Sequence, residues 1–436
     1  MPVSEDRPEA SLVDDLLGFV DAGPSPYHAV AECARRLEAA GFRRLDERRR
    51  WSLAAGDRVY VVRDGGSLAA VHVGRAAPSE AGFRAVGAHT DSPTLRVRPR
   101  ADVRRHGYRL LSVEPYGGVL SHTWLDRDLT LAGRVVVRGR DARPVTHLVH
   151  LPGAPLRVPS LAIHLHREGT DQGLKLDPQR HLAPLWAVAG EDDPGLADVV
   201  AGELGVEPGD VLATELVTAD TQPAARGGAG DAFVFAPRLD NLASCHAGLT
   251  ALSGAQGADA TQVLVLNDHE EVGSRSAEGA AGPFLEDLLR RVVAATEAPG
   301  PEELAMSLSG SQLVSADTAH AVHPNWADRH DPDHRPLPGG GPVLKTNASQ
   351  SYATDAGSAA WFVARCADVG VAVQHFVSRA DMPCGSTIGP LTAARLGVAT
   401  VDVGAPVLSM HSCREQAAAA DVAPMVAALR AHLESG

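Results

Sequence analysis

Gln262-Val263-Leu264-Val265-Leu266-Asn267-Asp268-His269-Glu270-Glu271-Val272-Gly273-Ser274 joins an unbroken apolar run to paired carboxylates beside a glycine. A short apolar run bounded by polar and turn residues reads as a strand buried on both faces. On an extended chain, neighbouring side chains point to opposite sides. One glutamate can then bind a metal while the other faces the water which that metal activates. Alone, a Glu-Glu pair at a strand end reads equally well as a solvated acidic turn. The rest of the chain decides between the two.

Four further segments share the design of an apolar run closed by a ligand-type residue. They are Gly87-Ala88-His89-Thr90-Asp91-Ser92-Pro93, Pro237-Arg238-Leu239-Asp240-Asn241, Val314-Ser315-Ala316-Asp317 and Leu408-Ser409-Met410-His411-Ser412. In open α/β sheets, sites form at the carboxyl ends of strands. These residue types suit two divalent ions, which need a bridging carboxylate plus one carboxylate and one histidine each. Asp240 would bridge; His89 and Asp317 would complete one ion, Glu271 and His411 the other. Asp91, two residues after His89, can accept from the free ring nitrogen and fix the tautomer. Glu270 stays outside the ligand set, where it can take a proton from water and pass it to a leaving amine. Singly, His89 could be a satisfied core histidine and Asp240 or Asp317 a helix cap; all five being bland together is the weaker reading. Zinc, cobalt and manganese all tolerate such ligands.

The 436-residue chain exceeds the usual size of one core, so two domains are expected. Strand–helix alternation before about residue 98 and after about 236 predicts an α/β domain with helices on both faces of its sheet. Helices are expected from Leu239 to Leu252, Phe284 to Ala295 and Tyr352 to Ala367, and a strand from Val371 to Val377. Between them, residues 99–235 carry alternating runs such as Leu129–Val137, which predict an inserted β-rich domain. The Gly/Ala-rich stretch Gln222–Gly230 is expected to be its return linker. Arg329–Gly341, rich in Pro and Gly, is expected to be a loop at the mouth of a site.

A formal net charge of −14 repels nucleic acid and anionic lipid, so neither is an expected partner. Five scattered cysteines without a Cys-x-x-Cys pair argue against a disulfide framework, and no run is apolar enough to span a membrane. A reducing cytoplasm is the expected compartment.

The segments GAHTDSPTLRVRP, FAPRLDNLASC, NDHEEVGSRSAEGA, VSADTAHAVHPN and SMHS resemble those of the aspartyl aminopeptidases, a family of dinuclear metallopeptidases. The resemblance implies a zinc-exopeptidase-like mixed sheet, with the insertion (99–235) as a dimerisation domain of a homo-oligomer, a dodecamer in the family. It implies two zinc ions per subunit and hydrolysis of the N-terminal residue of peptide substrates, preferring Asp or Glu. It assigns His164 to the tetrahedral intermediate of a neighbouring subunit, and Lys345 and Tyr352 to the substrate pocket. His269 stands where the family usually has asparagine. Alternatives are a related dizinc carboxypeptidase or deacylase, or a non-catalytic metal-stapled cargo-binding cage.

Overall fold

Gln262–Leu266 lies within the strand Thr261–Asn267, every residue of which is buried. Its neighbour Phe83–His89 is likewise buried throughout. Such strands need apolar cover on both faces, and the alternation of their side chains shows where it comes from. Val86, Ala88, Leu264 and Leu266 pack in one apolar cluster with residues of the helices Pro8–Ala22, Pro26–Ala39, Leu239–Gly254, Ala356–Asp368 and Val422–Leu433. Ala85, Val263 and Val265 pack in another with Phe284–Thr296, Pro301–Ser309 and Leu396. Each fully buried leucine or valine contributes about 1.5–3 kcal/mol.

The computed structural model describes residues 8–141, 143–153, 155–167, 173–190, 194–297 and 300–436, which divide into two compact units. The first comprises 8–91, Ala224–Met410 and Glu415–Gly436. Its nine-stranded mixed sheet runs in the order Arg43–Arg44, Arg58–Arg63, Ser67–His72, Thr261–Asn267, Phe83–His89, Gln312–Ala316, Ala399–Gly404, Val343–Thr346 and Gln374–Val377. The four strands from Thr261–Asn267 to Ala399–Gly404 are mutually parallel. A smaller five-stranded sheet in the same unit contains Ala225–Gly227, Phe233–Ala236, Glu415–Ala418, Pro406–Leu408 and Ala319–His320.

The second unit comprises Ser92–Pro223 and His411–Arg414. It is built on a six-stranded antiparallel sheet in the order Pro144–His150, Leu129–Arg138, Val211–Asp220, Thr94–Arg105, Tyr108–Tyr116 and Leu185–Val188. Leu95, Leu111, Trp124, Leu131 and Leu216 centre its core. Pro144–His150 lies at the edge, with six of its seven residues exposed.

Several local expectations shift. The unit boundaries fall at 91/92 and 223/224, against the expected 98/99 and 235/236. Ala225–Gly227, within the expected linker, pairs with Phe233–Phe235 as a strand of the first unit. The helix expected from Tyr352 begins at Ala356, because Asp355 caps it by accepting from Ser358 N. The strand expected from Val371 covers Gln374–Val377. Pro301–Ser309, a helix with proline in its first turn, was not anticipated. None of the cysteines forms a disulfide. Among the described residues, no helix is long and apolar enough to cross a membrane.

Candidate metal centre

Register brings three strand ends together. Asn267 pairs with His89 and Ser315 with Gly87, so parallel strands terminate side by side. His89 is the last residue of its strand, and Asp317 follows Ala316 at the end of another. Asp240 sits in the first turn of Leu239–Gly254, after Arg238 in the left-handed region at φ +58°. That helix grips the His89 strand end: Asn241 Nδ2 donates to Thr90 O at 3.0 Å, and Cys245 Sγ to His89 O at 2.9 Å.

Glu270 and Glu271 depart from the extended geometry expected of them. The strand stops at Asn267, His269 turns the chain at φ +66°, and Glu270–Val272 is one turn of 3-10 helix. Asp91 holds that turn. Its Oδ1 accepts from Glu270 N and its Oδ2 from Glu271 N, both at 3.0 Å. The His89 ring nitrogen Nδ1 lies 3.0 Å from the Asp91 carbonyl oxygen and 3.3 Å from its carboxylate. With Nδ1–H donating there, Nε2 faces Asp317 Oδ1 at 3.4 Å.

Ligand-type atoms of His89, Asp240 and Asp317 lie within 4.8 Å of one another, as do those of His89, Glu270 and Glu271. His89, Asp91 and Asp240 are buried, and Glu270, Glu271 and Asp317 half-buried. Two carboxylates about 4 Å apart repel by about 4 kcal/mol at an effective dielectric of 20. The titration behaviour follows. Burial, reinforced by Asp317, Asp91 and Asp240 against the pull of His89, pushes Glu270 up to about 7. Burial and then Asp240 push Glu271 well above the usual carboxylate range. Burial opposes a charge on His89, but hydrogen bonds to Asp317 and Asp91 outweigh it and raise the imidazole. A carboxylate–imidazole set this crowded, with negative charge in excess, fits a divalent cation of the zinc type.

Thr318 and Glu415 extend the centre beyond the residues singled out in the sequence. The Thr318 hydroxyl donates to Asp240 Oδ1. Glu415 Oε2 accepts from Asp240 N at 2.8 Å. Thr318 directly follows Asp317 and was open to notice; Glu415 carries no local signal.

Lys345 is 2% exposed, and its Nζ lies 2.9 Å from Asp317 O, 3.2 Å from Thr318 O and 3.5 Å from Asp317 Oδ2. The ammonium is 5.2 Å from the ring centre of Tyr352. Tyr352 lines a cavity of about 280 Å³ with His320, His323, Arg329, His330 and Arg379. The Arg329–Gly341 loop thus contributes to a cavity wall, and His330 is part of it. His323 Nδ1 accepts from Asn325 N, leaving the proton on Nε2. His330 Nε2 accepts from His323 N, leaving it on Nδ1. The wall carries these N–H donors together with the acidic Asp331.

Two expected site residues lie in the second unit. His164 occupies the exposed turn Ile163–Leu165, flanked by Leu161, Ile163 and Leu165, at 59%, 61% and 75% exposure. His411 has φ +67°, and its Nδ1 is 3.1 Å from Gly118 O. A Cβ on Gly118 would stand 2.9 Å from that nitrogen, so only glycine admits the ring at this approach.

Residues 19–433 match the family model described as Aminopeptidase I zinc metalloprotease (M18). The chain is 48% identical over 431 residues to the probable M18 family aminopeptidase 2 of Pseudomonas paraeruginosa, covering 98% of this chain and 99% of that one. Its fold is similar to a chain in the solved complex of Ape4 and Nbr1, with a TM-score of 0.94 and 35% identity, covering 98% of this chain and 86% of that one. It is also similar to the dodecameric mApe1 of S. cerevisiae, with a TM-score of 0.84 and 29% identity, covering 96% and 95%.

Proposed function

Because the chain belongs to the M18 family of zinc metalloproteases and is a metallo-aminopeptidase, a hydrolase, we propose that it removes acidic residues, Asp or Glu, from the N-terminus of peptides. The convergence of His89, Asp240 and Asp317 within 4.8 Å, beside the Glu270–Glu271 turn, carries this reading. His89 and Asp317 would hold one zinc ion, with Asp240 bridging to a second held by Glu271, to which the sequence motif adds His411. Zinc bound there would supply Lewis-acid polarisation of the scissile carbonyl and of water.

Glu270 moves protons. Its carboxyl, held near neutrality by burial, can accept a proton from water and return it to the leaving amine. Asp91 fixes where it does so, through the backbone of the turn. The histidines and arginines that line the cavity beside Tyr352 support a preference for a carboxylate side chain, although Asp331 shares that wall. Lys345, expected to bind the substrate, lies outside the lining with its ammonium turned to Asp317 and Thr318. The exposed edge strand Pro144–His150 and the apolar turn around His164 support self-association through the second unit, where His164 would serve a neighbouring subunit.

A panel of aminoacyl and N-acylated reporters, assayed after chelation and zinc return, tests the proposal. Acidic aminoacyl substrates are expected to be cleaved fastest, with activity lost on chelation and restored by zinc. Faster cleavage of N-acylated or neutral substrates would refute it. Glu270→Gln is expected to keep zinc and fold while turnover falls by about 10²–10⁴-fold.

A further inference from the structure

We infer that Lys345 is a positioning residue for the metal carboxylates, acting on Asp317 directly and on the bridging Asp240 through Thr318. This rests on the zinc reading above.

Lys345 projects from Val343–Thr346, which pairs antiparallel with Ala399–Gly404. Burying an ammonium requires every donor to find an oxygen. Here the oxygens belong to two consecutive residues, the carbonyls of Asp317 and Thr318 and the Asp317 carboxylate. The carboxylate contact is selective. Nζ faces Oδ2 at 3.5 Å, whereas Oδ1 faces His89 Nε2 at 3.4 Å. One oxygen of Asp317 is thereby held away from the histidine, and the other is presented to the space that both share. Lys345 thus leaves Oδ1 as the Asp317 oxygen that would hold a metal beside His89.

The second grip extends the effect. With its carbonyl fixed by Lys345, Thr318 has little freedom to rotate its backbone, and its hydroxyl donates to Asp240 Oδ1. A Cβ on Gly404 would stand 1.8 Å from Asp317 O, so the chain here is also packed tightly from the strand side. Asp317 and Asp240 come from a strand end and a helix start far apart in sequence. The Lys345–Thr318 relay gives a physical reason for their spacing. Partners of this kind typically alter metal affinity by about 10–100-fold.

Zinc affinity of the full chain, measured by competition with a chelator of known affinity, tests this without reference to turnover. Lys345→Met keeps the aliphatic stem and removes the charge. Thr318→Val removes only the hydroxyl on Asp240. Each is expected to weaken zinc binding, Lys345→Met by about 10–100-fold and Thr318→Val by less. The double variant is expected to lose less than the product of the two, because the effects share one relay. Thermal unfolding of the zinc-free proteins separates this from a general loss of fold. Affinity within twofold of the wild type in Lys345→Met would overturn the positioning role. Should that variant fail to fold, unchanged affinity in Thr318→Val overturns the relay. If the wild type itself binds no zinc, the metal reading fails instead.

Discussion

Asp91 shows how much one side chain can do at the residue scale. Its carboxylate holds two successive amides, while its backbone carbonyl takes the nearer contact to the His89 ring. Asp91→Asn keeps one acceptor oxygen and sets an NH2 against the other amide. A buried N–H left unmet costs about 1–3 kcal/mol, which loosens the Glu270–Glu271 turn. The expected outcome is a large loss of kcat with zinc retained, since the Asp91 carbonyl still orients His89. Kinetics and metal analysis of the purified variant check both halves. The candidate residues were legible because only carboxylates and imidazoles suit this chemistry and they stand in short, dense segments. The turn that carries Glu270 and Glu271 was not legible, because the strand's apolar run points to an extended continuation. Its geometry comes from Asp91, which lies 179 residues away from Glu270.

Thr261–Asn267 and Leu239–Gly254 were legible from their runs of apolar residues, the helix without a side-chain cap at its start. Their tight approaches were not. Gly404 sits in Ala399–Gly404, where an added methyl would meet the Asp317 carbonyl. Gly404→Ala is expected to destabilise the protein by about 1–3 kcal/mol and to weaken zinc binding, read by thermal unfolding and metal titration. Helix Val422–Leu433 buries His432 completely, with Nε2 donating to Ala85 O at 3.0 Å and Nδ1 accepting from Arg365 at 2.8 Å. Burial, then Arg365, lowers this imidazole from 6.5 to about 3. The unfolded chain therefore takes up a proton below pH 6.5 that the folded chain refuses. Stability is fully present above that pH and falls progressively toward pH 3, by an amount on the order of 5 kcal/mol. Denaturant unfolding across this window is expected to show a shallower pH slope in His432→Gln. An unaltered slope would assign the acid sensitivity elsewhere.

At the scale of the whole molecule, exposed apolar side chains mark a surface the single chain does not use. Ile163→Asp with Leu165→Asp is expected to reduce the assembled mass in light scattering while leaving each unit folded by circular dichroism. An unchanged mass would remove this turn from the proposed interface. Residue types, their motif segments and the alternation of strand and helix were determined by the sequence alone, because each depends on a few neighbouring residues. Which carboxylate oxygen faces the histidine, why Glu270 is held near neutrality and how a buried lysine meets Asp317 were decided by the tertiary structure. Those depend on register between distant strands and on burial, which sets the strength of every charge interaction in the site.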